Sequence, residues 1–362
     1  MRSLLKIHGF TPYILVVLLN AMTDLGHKII IQDTVFKSFD GPQQIALTAV
    51  VNALILLPFI LMFTPSAFIS DRFAKDKVIK ICAAASIPLT MLIVVCYHAG
   101  LFWPAFGLTF LLAAQSPVYS PAKYGYIKEM TGNDRLAQAN AAVQAVTIVA
   151  ILAGAVIFSL FFEHYLAGAV GTPGEILQHI APCGYILVAG AVLETLITLT
   201  LPEKRPGDAG LTLDGRKYLR GGYLKSNMKL IRKSEVIWLS IIGLAIFWAV
   251  NQVLLAAFGT HLKDVAGETN TVIAQGMLSL GGVGIIIGSV MAGKVSRNYI
   301  ETGTIPLGAI GMTVCLFLLL KAGTDALSVP AKFFGVAGIP KLGTGKKDLA
   351  GARKLALEYA GA

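Results

Sequence analysis

Long apolar runs separated by short charged clusters dominate the chain, and their lengths predict helices that cross a bilayer. A helix hides its own backbone polar groups, so roughly 20 apolar residues span the hydrocarbon, whereas an isolated strand leaves those groups bare. Nine runs meet that length: Pro12 to Ile31, Gln44 to Thr64, Val78 to His98, Phe102 to Ser120, Ala139 to Phe162, Pro182 to Leu201, Val236 to Gly259, Val272 to Gly293 and Gly303 to Leu320. The first carries Asn20, Asp24 and His27, too polar for a cleaved signal peptide, and further spans follow it, so it is read as a helix. Small residues in LAGAVIF, GGVGIIIGSVMAGK and LGAIG let neighbouring helices approach closely. GGVGIIIG lies inside an apolar run with no strand before it, so it is not a dinucleotide loop.

Composition supports this reading. The 362 residues are 55% hydrophobic and 14% charged with a mean hydropathy of +0.71, against about 25% charged residues in soluble domains. The net charge of +10 comes without a basic stripe interleaved with aromatics, so no nucleic-acid partner is expected. Cys82, Cys96, Cys183 and Cys315 lie far apart with no CxxC pairing, so neither a zinc site nor a disulfide framework follows, and no metal or cofactor is expected.

The cations sit in alternate loops. Arg2 and Lys6, then Arg72 to Lys80, then Lys123, Lys128 and Arg135, then Lys204 to Lys233, then Lys294 and Arg297 mark one side, which the positive-inside rule makes cytoplasmic together with the N-terminus. The other loops hold Lys37 and Lys263 among Asp33, Asp40, Glu163, Glu175, Asp264 and Glu268. The expected organisation is a six-helix half over 1–202, a basic cytoplasmic linker over 203–235, a partial second half over 236–321 and a tail over 322–362. Anionic lipid is a natural neighbour for the linker.

Candidate chemistry gathers around PVYSPAKYGYIKEM, Pro117 to Met130, where the fourth span ends. Pro117 and Pro121 each remove a helix donor and crowd the preceding turn, which loosens the backbone there. Lys123 projects a cation from that weakened end, either snorkelling to lipid or meeting a phosphate within the pore. Asp24 is expensive in the bilayer interior unless it faces water or a cation, so it is expected to face a cavity. Asn140, Gln144 and Thr147 share one side of the fifth span and Asn251 with Gln252 lies on the seventh, lining a route or bonding between helices. His27, one turn after Asp24, is either a proton-sensitive neighbour or a plain polar contact.

Asp71 and Arg72, after the second span, resemble the loop motif of the major facilitator superfamily, which implies that the acid caps a neighbouring helix and the cations hold a cytoplasmic gate. Lys75, Lys77 and Lys80 are equally well explained as membrane anchors. GSVMAGKVSRNYIE, after the eighth span, is a weak echo of the same arrangement. Tyr119 to Gly125, then Glu129, Leu136 and Asn140, resemble the signature of the bacterial lysophospholipid transporter family within that superfamily. The polar first helix also resembles the family's, with Asp24 in the place of its acid, although Gly26 and His27 replace the usual Asn nearby.

That resemblance implies a major facilitator-like bundle, incomplete at about nine helices instead of twelve, in the bacterial inner membrane. Its substrate would be a lysophospholipid, notably lysophosphatidylethanolamine, moved to the inner leaflet for reacylation. Asp24 would receive the ethanolamine and Lys123 the phosphate, with Asn140, Gln144, Asn251 and Gln252 along the route. Asp71, Arg72, Pro117, Pro121 and Glu129 would form the gate.

The tail resembles the end of adenylate-forming acyl ligases at Ile339, Pro340, Leu342, Gly343, Thr344, Gly345, Lys346 and Asp348. This implies a remnant of a fusion of transporter, acyltransferase and acyl-carrier-protein ligase, with those domains or the carrier protein as partners. No HxxxxD acyltransferase motif occurs, since HKIIIQD has its acid one residue too far, and an isolated Lys346 lacks the domain that binds ATP. A transporter rather than an enzyme is therefore expected. A membrane-anchored acylation protein and a generic exporter are the competing readings.

Overall fold

The computed structural model describes residues 4–203, 207–208, 210–295, 308, 310–315 and 317–318. It is all-α, with no strand among the described residues. The expected first span is α1 (Phe10–Ser38), and the second is α2 (Gly41–Leu61) followed by α3 (Phe63–Arg72). The third is α4 (Lys75–His98), and the fourth divides into α5 (Phe102–Ala113) and α6 (Ser116–Thr131). α7 (Leu136–Leu166) is the fifth, and α9 (Pro182–Thr198), led in by α8 (Pro173–His179) at 63°, is the sixth. The linker holds α10 (Gly215–Leu219) and α11 (Gly222–Ile231), and α12 (Glu235–Ala266) and α13 (Thr271–Val295) follow.

The expected nine spans are not reproduced as nine unbroken rods. Among the described residues, α1, α2, α4, α7 and α12 are long and apolar enough to cross a bilayer alone, with the α8–α9 pair as a bent sixth. Proline position explains where α2 and α5 end. A proline ring clashes with the carbonyl four residues earlier, and Pro65 and Pro117 stand four residues after Leu61 and Ala113, where α2 and α5 end. Pro121 lies within α6 and costs it one hydrogen bond without ending it, so the loosened point precedes the two prolines rather than including both. Most of the expected ninth span, from Gly303 to Leu320, lies outside the described residues, as does the whole tail with Gly343, Gly345 and Lys346.

The chain divides into two units, Met1–Ile286 and Ile287–Ala362, and the sites below lie in the first. There α1 is central and packs on α7, α9 and α2, while α4 packs on α9, α6 and α5. One apolar core gathers Phe10, Tyr13, Val16 and Val17 of α1 with Ile79, Tyr126 and Val143. The other gathers Ile29, Ile30, Ile31 and Val35 with Ile93, Leu112, Phe158 and Leu187. The polar part of α1, from Asn20 to Lys28, falls between these two cores. Outward, Ile60, Ile81, Leu199 and Leu239 are exposed, an apolar surface of the kind that lipid covers.

Candidate functional site

α1 carries its acid into the gap between the cores. Asp24 Oδ1 accepts a hydrogen bond from Gln115 Nε2 at 2.9 Å, and Oδ2 accepts one from Ser116 Oγ at 2.6 Å. Both donors come from the α5–α6 break, so the interruption that proline imposes turns polar side chains onto the acid. Lys123 follows Ser116 by seven residues on α6 and shares its face. Its ammonium lies 4.9 Å from the Tyr124 ring centroid and 5.8 Å from that of Tyr119, within reach of cation–π attraction. The charges of Lys123 and Asp24 act on one another, but not as a contact ion pair. Lys123 is only 9% exposed, which a chain snorkelled among headgroups would not be. Tyr13 Oη fixes this part of α6 by donating to the Lys123 carbonyl at 2.8 Å.

Glu194 of α9 is absent from the sequence-predicted site, yet it faces the same layer. It is 0% exposed, and neither carboxylate oxygen has a hydrogen-bond partner. The Asn20 amide nitrogen, also buried without a well-formed bond, is the donor that acts on Glu194, and Asp24 is the neighbouring charge. An acid inside the apolar run AVLETLIT was the available signal.

The amide stripe is only partly joined to this layer. Gln144 Nε2 donates to Tyr124 Oη at 2.9 Å and so reaches the ring beneath Lys123. Thr147 bonds back to the Val143 carbonyl at 2.8 Å, and Asn140 Oδ1 and Gln252 Oε1 are buried without partners. Asn251 is half-buried on α12. His27 is a structural contact: its Nε2 meets the Ala105 carbonyl at 3.1 Å, so that nitrogen donates and Nδ1 accepts from Tyr97 Oη at 2.7 Å.

At the end of the bundle carrying the cations, Glu129 pairs with Lys75 at 2.8 Å. Gly125 leaves room for the present course of Lys75, since a Cβ there would stand 2.3 Å from Lys75 Cε and the lysine tip would have to move. Arg72 Nη1 donates to the Leu211 carbonyl and its guanidinium lies 5.6 Å from the Phe68 ring, while the Asp71 carbonyl accepts from Asp208 N at 3.1 Å. Asp71 thus meets the linker through its backbone, and the acids that engage cations here are Glu129 and Asp76, the latter with Lys80 at 3.2 Å.

A cavity among the described residues lies elsewhere. It measures about 210 Å³ and is bordered by α1, α2, α7, α12 and α13, with Lys28, Gln32, Asp33, Gln44, Thr48 and Gln275 among its polar walls. Asp24, Asn140, Gln144, Asn251 and Gln252 do not line it. Asp33, expected in a loop, belongs to α1 because that helix continues to Ser38. It accepts from Ser159 Oγ at 2.5 Å and from Gln275 Nε2 at 3.0 Å, joining α1, α7 and α13. Nearby, Lys37 pairs with Glu163 at 2.7 Å and Lys263 with Asp40 at 2.8 Å.

A bundle of apolar helices with charged groups held in its interior defines a polytopic α-helical membrane protein. The chain belongs to the Major Facilitator Superfamily, whose family model matches residues 13–340. It is 29% identical over 285 residues to "Lysophospholipid transporter LplT" of Enterobacter sp. (strain 638), covering 78% of this chain and 65% of that protein. It is likewise 29% identical over 307 residues to the protein of the same name from Citrobacter koseri, covering 83% of this chain and 68% of the relative. The chain thus spans about two thirds of the length of these relatives. In fold it is similar to a bacterial homologue of the human lysosomal transporter Spinster, with a TM-score of 0.51 and 17% identity over 80% of this chain and 62% of that one. A D-xylose–proton symporter gives a TM-score of 0.50 and 15% identity over 78% of this chain and 68% of the other.

Proposed function

We propose that this chain handles the substrate of a lysophospholipid transporter, moving lysophosphatidylethanolamine or a close relative across the bacterial inner membrane for reacylation. The observation that carries the reading is the opposed pair in the bundle interior, Asp24 on the donors of a broken helix and a buried Lys123 on the same face. A carboxylate offers about four acceptor positions, and Gln115 and Ser116 use two of those of Asp24. The remainder suit the ethanolamine ammonium, and the Lys123 ammonium suits the phosphate. Discontinuous helices at charged sites recur among transporters. The names of the relatives agree with this substrate class.

Asn140, Gln144, Asn251 and Gln252 serve as polar footholds in this reading, and Asp71, Arg72, Pro117, Pro121 and Glu129 serve the gate. The N-terminus and the linker over 203–235 lie on the cytoplasmic side, between a six-helix half over 1–202 and a partial half over 236–321. Residues 322–362 are the remnant of an acyl-carrier-protein ligase once fused to the transporter, a proposal that rests on the IPKLGTGKKD motif.

Uptake of lysophosphatidylethanolamine into spheroplasts tests the reading. Removing one partner of a desolvated charge pair costs a few kcal/mol, so Asp24→Asn and Lys123→Ala should each lower uptake roughly tenfold or more. Membrane abundance must stay normal for the comparison to count. Normal uptake by Lys123→Ala would remove the phosphate role and leave PVYSPAKYG as a structural hinge.

A further inference from the structure

We propose that Lys28 is a second phosphate station, holding the anionic head of a single-chain amphiphile in the cavity bordered by α1, α2, α7, α12 and α13. The identity of that amphiphile as a lysophospholipid rests on the function proposed above; the station itself rests on the cavity. Among the described residues, the Lys28 ammonium has neither an ion-pair nor a hydrogen-bond partner. The two nearest acids in sequence are both engaged elsewhere. Asp24, one turn earlier on the same face, is held by Gln115 and Ser116 and forms no ion pair with Lys28. Asp33 is held by Ser159 and Gln275, while Gln32 donates to Asn52 Oδ1 at 3.1 Å. An ammonium in an apolar interior is costly unless a counter-charge arrives, and a ligand is the remaining source.

The walls say which kind of anion fits. Leu25, Ile151, Leu152, Leu255, Phe258 and Leu278 surround the polar groups. A small hydrated anion gains nothing from those side chains, whereas an acyl chain attached to the phosphate does. Position along α1 gives the station a purpose. At 1.5 Å per residue, Lys28 lies about 6 Å beyond Asp24 and about 22 Å beyond Tyr13, whose hydroxyl holds the Lys123 backbone. A zwitterionic head travelling along α1 would therefore meet a cation, an acid and a second cation in turn.

The test is binding to the full chain in nanodiscs, with lysophosphatidylethanolamine, dodecyl phosphate, a monoacylglycerol and inorganic phosphate as separate probes. Lys28→Gln should weaken both phosphate amphiphiles by roughly tenfold or more and leave the monoacylglycerol unchanged, while Lys28→Arg stays near wild type. Because the lost charge has no partner, Lys28→Gln should also melt higher than wild type without ligand and gain less on adding dodecyl phosphate. Wild-type affinity of Lys28→Gln for both amphiphiles would overturn the station, and if Asp24→Asn still weakened lysophosphatidylethanolamine the proposed function would survive. Lys28-dependent binding of dodecyl phosphate without any lysophosphatidylethanolamine binding would do the reverse. Inorganic phosphate competing as well as dodecyl phosphate, or no binding of either amphiphile by the wild type, would also overturn the station.

Discussion

Glu194 is the most exposed to energetic penalty of all the side chains near Asp24, because it is fully enclosed and its oxygens accept no well-formed hydrogen bond, Asn20 being the one donor that acts on it. A buried polar group without a partner costs about 1–3 kcal/mol, and more when charged. A group kept at that cost beside Asp24 fits a layer waiting for a cation. A buried carboxyl with neither a good donor nor a paired cation takes up a proton instead of standing charged, and a substrate ammonium arriving beside Asp24 would let it ionise. Glu194→Gln keeps the shape and removes that ability. It should leave the melting temperature of the empty protein within a few degrees of wild type and lower lysophosphatidylethanolamine uptake roughly tenfold, at normal abundance. A much lower melting temperature than wild type would mean that the acid is already satisfied in the empty protein, and the argument that it waits for a cation would fall.

The break between α5 and α6 shows how an element delivers the residues of the site. Pro117 prevents the Ala113 carbonyl from continuing the helix, and the two residues freed there turn Gln115 toward Asp24 with Ser116 directly behind. Replacing Pro117 with Ala removes the clash and restores a donor, so α5 should run into α6 and rotate both side chains off the acid. Slower amide exchange over 113–118 together with reduced uptake is the expected result; unchanged exchange would show that the break does not depend on this proline. The proline spacing that marks the break was legible in the sequence, and so were Asp24 and Lys123, because a charge in an apolar run declares itself by its cost. What the sequence left open was which helix faces which. Gln115 and Ser116 became partners of Asp24 through packing, Asp33 entered the bundle because α1 outran its most apolar stretch, and Glu194 joined the layer through the α1–α9 contact.

At the scale of the molecule, the charges divide between two ends of the bundle. One end holds Arg72, Lys75 and Glu129 with the backbone of Asp208 and Leu211, and the other holds Lys37, Asp40, Glu163 and Lys263. The excess of cations at the first end argues that it faces the cytoplasm, where Lys and Arg are retained. The linker helix α11 adds to this, placing Lys225, Lys229 and Arg232 at intervals that share a face beside the apolar Leu224, Met228 and Ile231. Two single cysteines test the direction: Lys225→Cys in the linker and Val170→Cys in the α7–α8 loop, where Val170 is 96% exposed. Cys82, Cys96 and Cys183 are buried, and the exposed Cys315 is replaced by Ser to remove the background. A membrane-impermeant maleimide should label Val170→Cys in spheroplasts and Lys225→Cys only in inside-out vesicles. The reverse pattern would put the Lys75–Glu129 end outside, and a phosphate carried inward would then reach Lys123 before Lys28 rather than after it.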